Sequence, residues 1–264
     1  MKKWTLEMAN KWKNYKPPIR PSKWDIAVFS KYLDKKIREK GRDVKVLILG
    51  STPELRDLVN SKKLTAYVCD YSKDNNEALK LLKKVKGKEI LIRQDWTKLK
   101  LKQKFDLVFA EASLTVVKKQ QVIKILKNVK KLLKDDGLFI SKTWVRLPKK
   151  GLSLKKMMSI YRRKYKGKSF RNYMNQMLHS LYYDADKGSL QKQYYTFKKL
   201  YNDGKITKKE FISIEGLGYE TSPLVLFLPL HTEFLKMAKK YFKVKVEMPK
   251  QIGENKIPIH VMKK

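Results

Sequence analysis

The chain has 264 residues, 42% of them hydrophobic, which suffices for one large core or one core with a smaller appendage. Its 63 Lys and Arg against 25 Asp and Glu give a formal charge of +38, a field that attracts polyanions, nucleic acid or an anionic membrane surface among them. The single cysteine excludes an intramolecular disulfide, the histidines His179, His231 and His260 are too scattered for a metal site, and neither a membrane span nor a signal peptide is visible, so a cytoplasmic protein is expected.

From Val44 to Asp70 the chain reads strand, turn, helix, strand: VKVLILG, STPE, LRDLVNSKK, LTAYVCD. A buried strand running into a helix N-terminus, followed by a strand that ends in a carboxylate, is how nucleotide-sized cofactors are held. Ser51 or Thr52 is expected to cap the helix, Pro53 suits its first position, and Glu54 completes a capping-box pattern with Ser51. Gly50 lets the backbone pass close to a ligand, and Asp70 lies about 20 residues on, where the fingerprint places the acid that binds two ribose hydroxyls. Thr52 and Glu54 occupy the positions of the second and third glycines of a dinucleotide loop. Cys69 falls inside the second strand and reads as a small core residue.

The rhythm then repeats. A Lys/Leu-rich helix from about Lys73 to Lys86 leads to a strand EILIRQ ending at Asp95-Trp96, and a strand FDLVFA ends at Glu111. A long amphipathic helix, about Val116 to Leu133, precedes the turn Asp135-Asp136-Gly137 and a strand LFISKTW. This alternation argues for a parallel sheet covered on both faces. Regular core structure resumes near His231: Thr232 is expected to cap a helix to about Tyr241, followed by FKVKVEM and KIPIHVM as strands around a turn at Ile252-Gly253-Glu254-Asn255.

Between these parts the composition changes. No acidic residue occurs from Leu138 to Tyr183, and cations including Lys142, Arg146, Arg162, Arg163 and Arg171 are interleaved with Tyr161, Tyr165, Phe170 and Tyr173. The mixture suits a groove that tracks phosphates and stacks bases, and equally a solvated helical pair whose aromatics face the core. Lys supplies 54 of the cations and Arg, which reads phosphate bidentately, only 9. The stretch reads as a mostly helical inserted module on the substrate side, with a capping box at Thr207 and Glu210 and a turn at Asp203-Gly204.

Five segments in order, VLILGSTPELRDL, AYVCDYS, QDW, FDLVFAEASL and LLKDDGLFISK, resemble motifs I to V of the class I S-adenosylmethionine-dependent methyltransferases. The likeness extends to a subgroup whose first motif reads LG-x-TPEL and which carries an Arg-Pro-Ser element, here Arg20-Pro21-Ser22, before its first helix. It implies an α/β, Rossmann-like class I methyltransferase fold, a seven-stranded mostly parallel sheet with an antiparallel last strand plus a helical insertion after the fifth strand. The corresponding division is residues 1–42 as an N-terminal helical segment over the cofactor mouth, 43–146 as the cofactor-binding core, 147–230 as the substrate-side insertion and 231–264 as the final helix and hairpin.

The resemblance implies S-adenosylmethionine as cofactor, with Gly50, Ser51 and Thr52 against its methionine and sugar, Asp70 on the ribose, Tyr71 beside the adenine, Asp95 and Trp96 on its edge and face, and Glu111 where cofactor and acceptor meet. Ile48 stands where the family often has an acid. In-line attack by an acceptor oxygen or nitrogen would be assisted by Glu111 as base and by Lys142, which would lower the nucleophile's pKa. Arg20, Arg162, Arg163 and Arg171 are the substrate-side candidates. The sequence marks of adenine-N6 and cytosine-C5 enzymes are absent, and a fainter likeness to ribose 2′-O enzymes would add Lys23 and Glu254 to Glu111 and Lys142. The acceptor is left open between RNA, or another polyanion, and a small molecule. The other class of reading is a catalytically degenerate scaffold acting as a basic nucleic-acid- or partner-binding module.

Overall fold

Segments with no polar face set the architecture, because a strand apolar on both sides must be covered on both sides. The computed structural model describes residues 10–15, 17, 19–146, 153–165, 170, 188–215, 217–222, 224–249 and 257–264. All of β1 (Val46–Leu49) and all of β4 (Phe105–Glu111) is buried, and β2 (Ala66–Cys69) nearly so. These run parallel at the middle of a seven-stranded sheet of order β3-β2-β1-β4-β5-β9-β8, with β3 (Glu89–Ile92) half-exposed at one edge. On the other side β5 (Leu133–Lys142) pairs parallel with β4, whereas β9 (Ile259–Lys263) enters antiparallel between β5 and β8 (Lys243–Glu247).

Alternation along each strand sends side chains to two cores. Ile48, Phe109 and Ile140 meet Phe29 and Leu33 of α1 (Lys23–Lys40) and Leu55 and Val59 of α2 (Pro53–Ser61). Leu47, Val108 and Phe139 meet Ile125, Leu126 and Val129 of α4 (Lys119–Leu132) and Phe234 of α8 (His231–Lys239). A third apolar cluster lies apart from both faces. It joins Trp12 and Tyr15 of the N-terminal segment to Leu79 of α3 (Lys73–Lys80), to Trp144 just past β5, and to the segment that follows β5. That segment contains α5 (Leu154–Ile160), α6 (Leu190–Asn202), α7 (Lys208–Glu215) and a short antiparallel ladder of β6 (Gly188–Ser189) and β7 (Val225–Leu226). The ladder has no counterpart in the sequence reading.

The expected elements shift where side chains intervene. The third helix ends at Lys80, not Lys86, because the Asp57 carboxylate accepts the Lys84 and Val85 N–H groups and fixes a turn there. The helix placed from Val116 starts at Lys119. The Asp135-Asp136-Gly137 turn is an irregularity within β5, whose register passes from Phe105 opposite Leu133 to Leu107 opposite Leu138. Asp136 is held there by Lys36 and Lys40, each at 2.8 Å. The last helix is capped at Leu230, whose N–H donates to Glu233 at 3.0 Å, so Thr232 is not its cap. The Thr207/Glu210 box forms as expected, whereas the turn at 252–255 lies outside the described residues. Among the described residues no helix is long and apolar enough to cross a membrane.

Candidate active site

The order of the parallel strands reverses between β1 and β4, and such a switch point leaves a crevice at the strands' carboxyl ends. Gly50 follows β1 there with φ +98°, a conformation that L side chains rarely adopt, and the nearest atoms a Cβ would meet are Ser113 Oγ at 3.5 Å and Trp96 Cζ2 at 3.8 Å. Across the crevice Glu111 ends β4, and Ala112 carries φ +56°, a left-handed conformation uncommon for alanine. Ser113 Oγ donates to the Leu49 carbonyl at 2.6 Å, which pins the two strand ends together.

The crevice opens into a cavity that is partly open to solvent. Gly50, Ser51, Thr52, Asp70, Tyr71, Trp96 and Glu111 all line it, so seven of the eight residues assigned to the cofactor stand round one space. Asp95 does not line it: its carboxylate caps the 3-10 turn Trp96–Lys98, accepting the Thr97 N–H and hydroxyl, each at 2.8 Å. That turn presents Trp96, whose indole N–H is held by the Cys69 carbonyl at 2.8 Å.

The expected capping box at the first turn does not form. Thr52 is the N-cap and makes no side-chain cap bond, while Ser51 Oγ lies 3.0 Å from Asp70 Oδ2 and 2.5 Å from Asn76 Oδ1. Ser51 therefore braces the carboxylate at the end of β2. Asp70 is buried, which raises its pKa, with opposing bonds from the Ser72 N–H and from Ser51. Glu54 turns outward from the helix start to Arg20 Nε at 2.7 Å and to the Trp12 indole N–H at 3.3 Å. Asn75, in the first turn of α3, lines the cavity too; it is buried and its side-chain oxygen has no hydrogen-bond partner.

Glu111 is the second carboxylate on the cavity wall. Behind it Lys142, fully buried, donates to Glu111 Oε1 at 3.1 Å and to Asp25 Oδ2 at 2.9 Å. Asp25 is fixed by the capping box of α1, accepting the Ser22 N–H at 2.6 Å and donating its own N–H to Ser22 Oγ at 3.1 Å. Burial pushes the Glu111 carboxyl up to about 7 against the pull of Lys142. Burial also draws Lys142 down, but the two carboxylates outweigh it and its pKa ends above the ordinary value. Lys142 does not itself line the cavity. Of the fainter ribose-type set, Lys23 is exposed at the start of α1 and Glu254 lies outside the described residues.

The substrate-side arginines are dispersed. Arg20 is tied to Glu54; Arg162 pairs with Glu210 and donates to the Lys205 carbonyl at 3.1 Å; Arg163 is exposed; Arg171 lies outside the described residues. Tyr161 and Phe170, read as interleaved with those cations, are buried and pack edge-on at 4.9 Å between centroids, with Phe170 continuing to Phe197. Sequence reasoning missed Asp25, Asn75, Asn76, Ala112 and Ser113. For Asp25 the signal was present, as Ser22-x-x-Asp is itself a capping-box pattern.

Residues 50–141 match the family model described as a methyltransferase domain. No curated protein matches the sequence. Among solved structures, a protein of Pyrococcus horikoshii is similar over 96% of this chain and 98% of its own at 14% identity, with a TM-score of 0.51. The magnesium protoporphyrin IX methyltransferase of Synechocystis, with bound S-adenosylhomocysteine, is similar over 98% and 95% at 10% identity and a TM-score of 0.50. A Rhodobacter sphaeroides chain that bears the name of a zinc-dependent alcohol dehydrogenase is similar over 99% and 96% at 12% identity and 0.57. At these identities the likeness is one of fold. The sheet order and the crevice are those of a Rossmann-like methyltransferase fold, and within that fold residues 50–141 match a methyltransferase domain.

Proposed function

We propose that the chain transfers a methyl group from S-adenosylmethionine to an oxygen or nitrogen of an acceptor bound in the same cavity. The observation that carries this reading is the convergence on one space of Asp70, of the unpaired Asn75 oxygen, of the Trp96 face and of a glycine turn at the switch point. The group fits these donors and acceptors. Asp70 would accept from the ribose hydroxyls, Ser51 and Gly50, whose own N–H goes to the Cys69 carbonyl at 2.8 Å, would lie against the sugar and methionine, and Trp96 and Tyr71 would flank the adenine. Asn75 Oδ1, buried without a partner, is an acceptor suited to a hydroxyl or an amino group of the nucleoside. The cofactor supplies a methyl carbon on a sulfonium, which takes the acceptor's lone pair while the carbon–sulfur electron pair stays on sulfur.

Glu111 is the residue placed to take a proton from the acceptor. Its buried carboxyl titrates near neutrality, where a general base is most effective. Lys142 serves it from behind and, being shielded from the cavity, acts on the acceptor only through Glu111; Asp25 holds Lys142 in place. In this reading residues 1–42 cover the cofactor mouth, 43–146 hold the cofactor, 147–230 face the acceptor and 231–264 complete the sheet. Membership of the LG-x-TPEL subgroup is supported by one contact: Arg20 of the Arg-Pro-Ser element is bonded to Glu54 of the TPEL turn.

The test is titration of the purified, nucleic-acid-free protein with S-adenosylmethionine and S-adenosylhomocysteine by calorimetry, for wild type and Asp70→Ala. Micromolar binding that disappears in a variant still folded by circular dichroism is expected. Absence of binding by the wild-type protein would remove the enzyme reading and leave a basic binding protein on a methyltransferase scaffold.

A further inference from the structure

Although 63 of the 264 residues are Lys or Arg, none of those among the described residues lines the cavity. Among the described residues its charged walls are Asp70 and Glu111. The arginines nearest in the chain to its walls are engaged elsewhere: Arg20 with Glu54, and Arg146 with the Leu228 carbonyl at 2.8 Å. Beyond Glu111 the remaining walls are mostly apolar, with polar Ser113, Thr115 and Tyr219 among them. The N-terminal segment contributes Trp12 and Tyr15, the end of β5 contributes Trp144, and the segment after β5 contributes Leu190, Leu224 and Leu226. These walls are tied across the cavity. Trp12 bonds to Glu54, Tyr15 Oη donates to the Leu217 carbonyl at 3.3 Å, and the Phe227 N–H donates to the Thr115 carbonyl at 2.7 Å.

A phosphodiester or a nucleotide brought here would face two carboxylates with no cation among the described residues to offset them, and desolvating a phosphate without a partner is costly. An uncharged molecule with an aromatic body matches the walls instead, since aromatic side chains offer large apolar area and edge-to-face contacts. We propose that the acceptor is a small, phosphate-free aromatic molecule that presents a hydroxyl or amino group to Glu111, and not RNA. This rests on the methyl-transfer reading and narrows its substrate class.

The experiment uses 2-naphthol as the probe, with a single-stranded RNA dodecamer as competitor, on the full-length protein in about 150 mM salt to screen non-specific attraction. S-adenosylhomocysteine is titrated first, and naphthol is then titrated into the saturated protein by calorimetry. Naphthol binding in the micromolar to low millimolar range, not displaced by the dodecamer and weakened at least tenfold in Leu226→Phe while S-adenosylhomocysteine binding persists, is expected. A protein that binds S-adenosylhomocysteine but takes up no naphthol, or whose naphthol is displaced by the dodecamer, overturns the substrate class and leaves the methyl-transfer reading standing. Failure to bind S-adenosylhomocysteine at all overturns both. A second variant, Leu224→Met, keeps the wall apolar and should retain naphthol binding within about threefold; equal loss in both variants would mean that the wall is merely structural and would also overturn the proposal.

Discussion

Replacing Lys142 with Met removes the only cation between two buried carboxylates. In the wild-type protein its ammonium lies 2.9 Å from Asp25 and 3.1 Å from Glu111, with all three side chains at most 5% exposed. Breaking one side of a buried ion pair leaves an uncompensated charge and typically costs about 3–5 kcal/mol. The damage is unequal. Asp25 keeps the Ser22 N–H, whereas Glu111, which among the described residues accepts from Lys142 only, must either stay charged and unpaired or take up a proton. The folded-state pKa of Glu111 is already raised and would rise further without Lys142, so the folded variant holds a proton that the unfolded chain releases. Such a group stabilises below the unfolded carboxylate pKa and loses that contribution as pH rises through the folded value. The loss in Lys142→Met is therefore expected to be full, about 3–5 kcal/mol or roughly a 10 °C fall in Tm, at pH 8, and markedly smaller at pH 5. Urea denaturation of wild type and variant at both pH values measures it. A loss below about 1 kcal/mol at pH 8, or the same loss at both pH values, would refute the buried-triad argument.

In the wild-type protein the carboxyl of Glu111 moves from 4.5 to about 7 on folding, so stability should decline as pH rises from about 4.5 to 7, by about 2–3 kcal/mol, and Glu111→Gln should flatten that slope in a series of thermal melts. Gly50→Ala should cost about 1–3 kcal/mol, because alanine is strained at φ +98°, and should weaken S-adenosylhomocysteine binding more than the melt alone accounts for. Ala112→Gly, at φ +56°, should instead leave stability within about 1 kcal/mol of wild type, since relief of backbone strain offsets the greater freedom of the unfolded chain; a larger loss by urea titration would contradict the conformational assignment. Arg56→Met should cost about 3–5 kcal/mol, because Arg56 is wholly buried and its fork meets both Glu89 oxygens at 2.9 and 2.7 Å; exposed Arg163→Met should change Tm by less than about 2 °C.

The sheet was legible because its strands carry their burial in composition. VLIL, AYVC and FDLVFA are apolar on both faces, and only the interior of a covered parallel sheet accommodates that. Positions immediately after those strands were legible for the same reason, since strand ends on one edge of a sheet must lie together. What the sequence left hidden is long-range pairing. Ser51 looked like a helix cap and braces Asp70; Glu54 looked like its partner in a box and reaches back to Arg20 and Trp12; Lys142 looked like a group facing the acceptor and is held from behind by Asp25, 117 residues away in the chain. Side chains with several local options were assigned to the local one, although a partner distant in sequence could satisfy them better once the sheet had formed. Asp95 is the reverse case, a residue read as a ligand whose carboxylate is satisfied two residues on by Thr97.

Charge offered the strongest signal in the composition and bears least on the cavity. A formal +38 is carried largely by Lys, which stays solvated at a surface; the described lysines stand outside the cavity lining, and burying an ammonium demands a carboxylate, as Lys142 demonstrates by taking two. The aromatics interleaved with basic residues after β5 follow the same logic. Tyr161 and Phe170 turn inward to Phe197 and build an apolar body, whereas Arg163 and Lys164 remain exposed on its outside. Of the described residues in that stretch, which reads equally as a phosphate-tracking groove and as a solvated helical pair with its aromatics inward, Tyr161 and Phe170 belong to the apolar cluster that also supplies cavity walls. In the reading proposed above, the chemistry offered to an acceptor would be set by that inner face, where the described residues place two carboxylates among aromatic and aliphatic side chains.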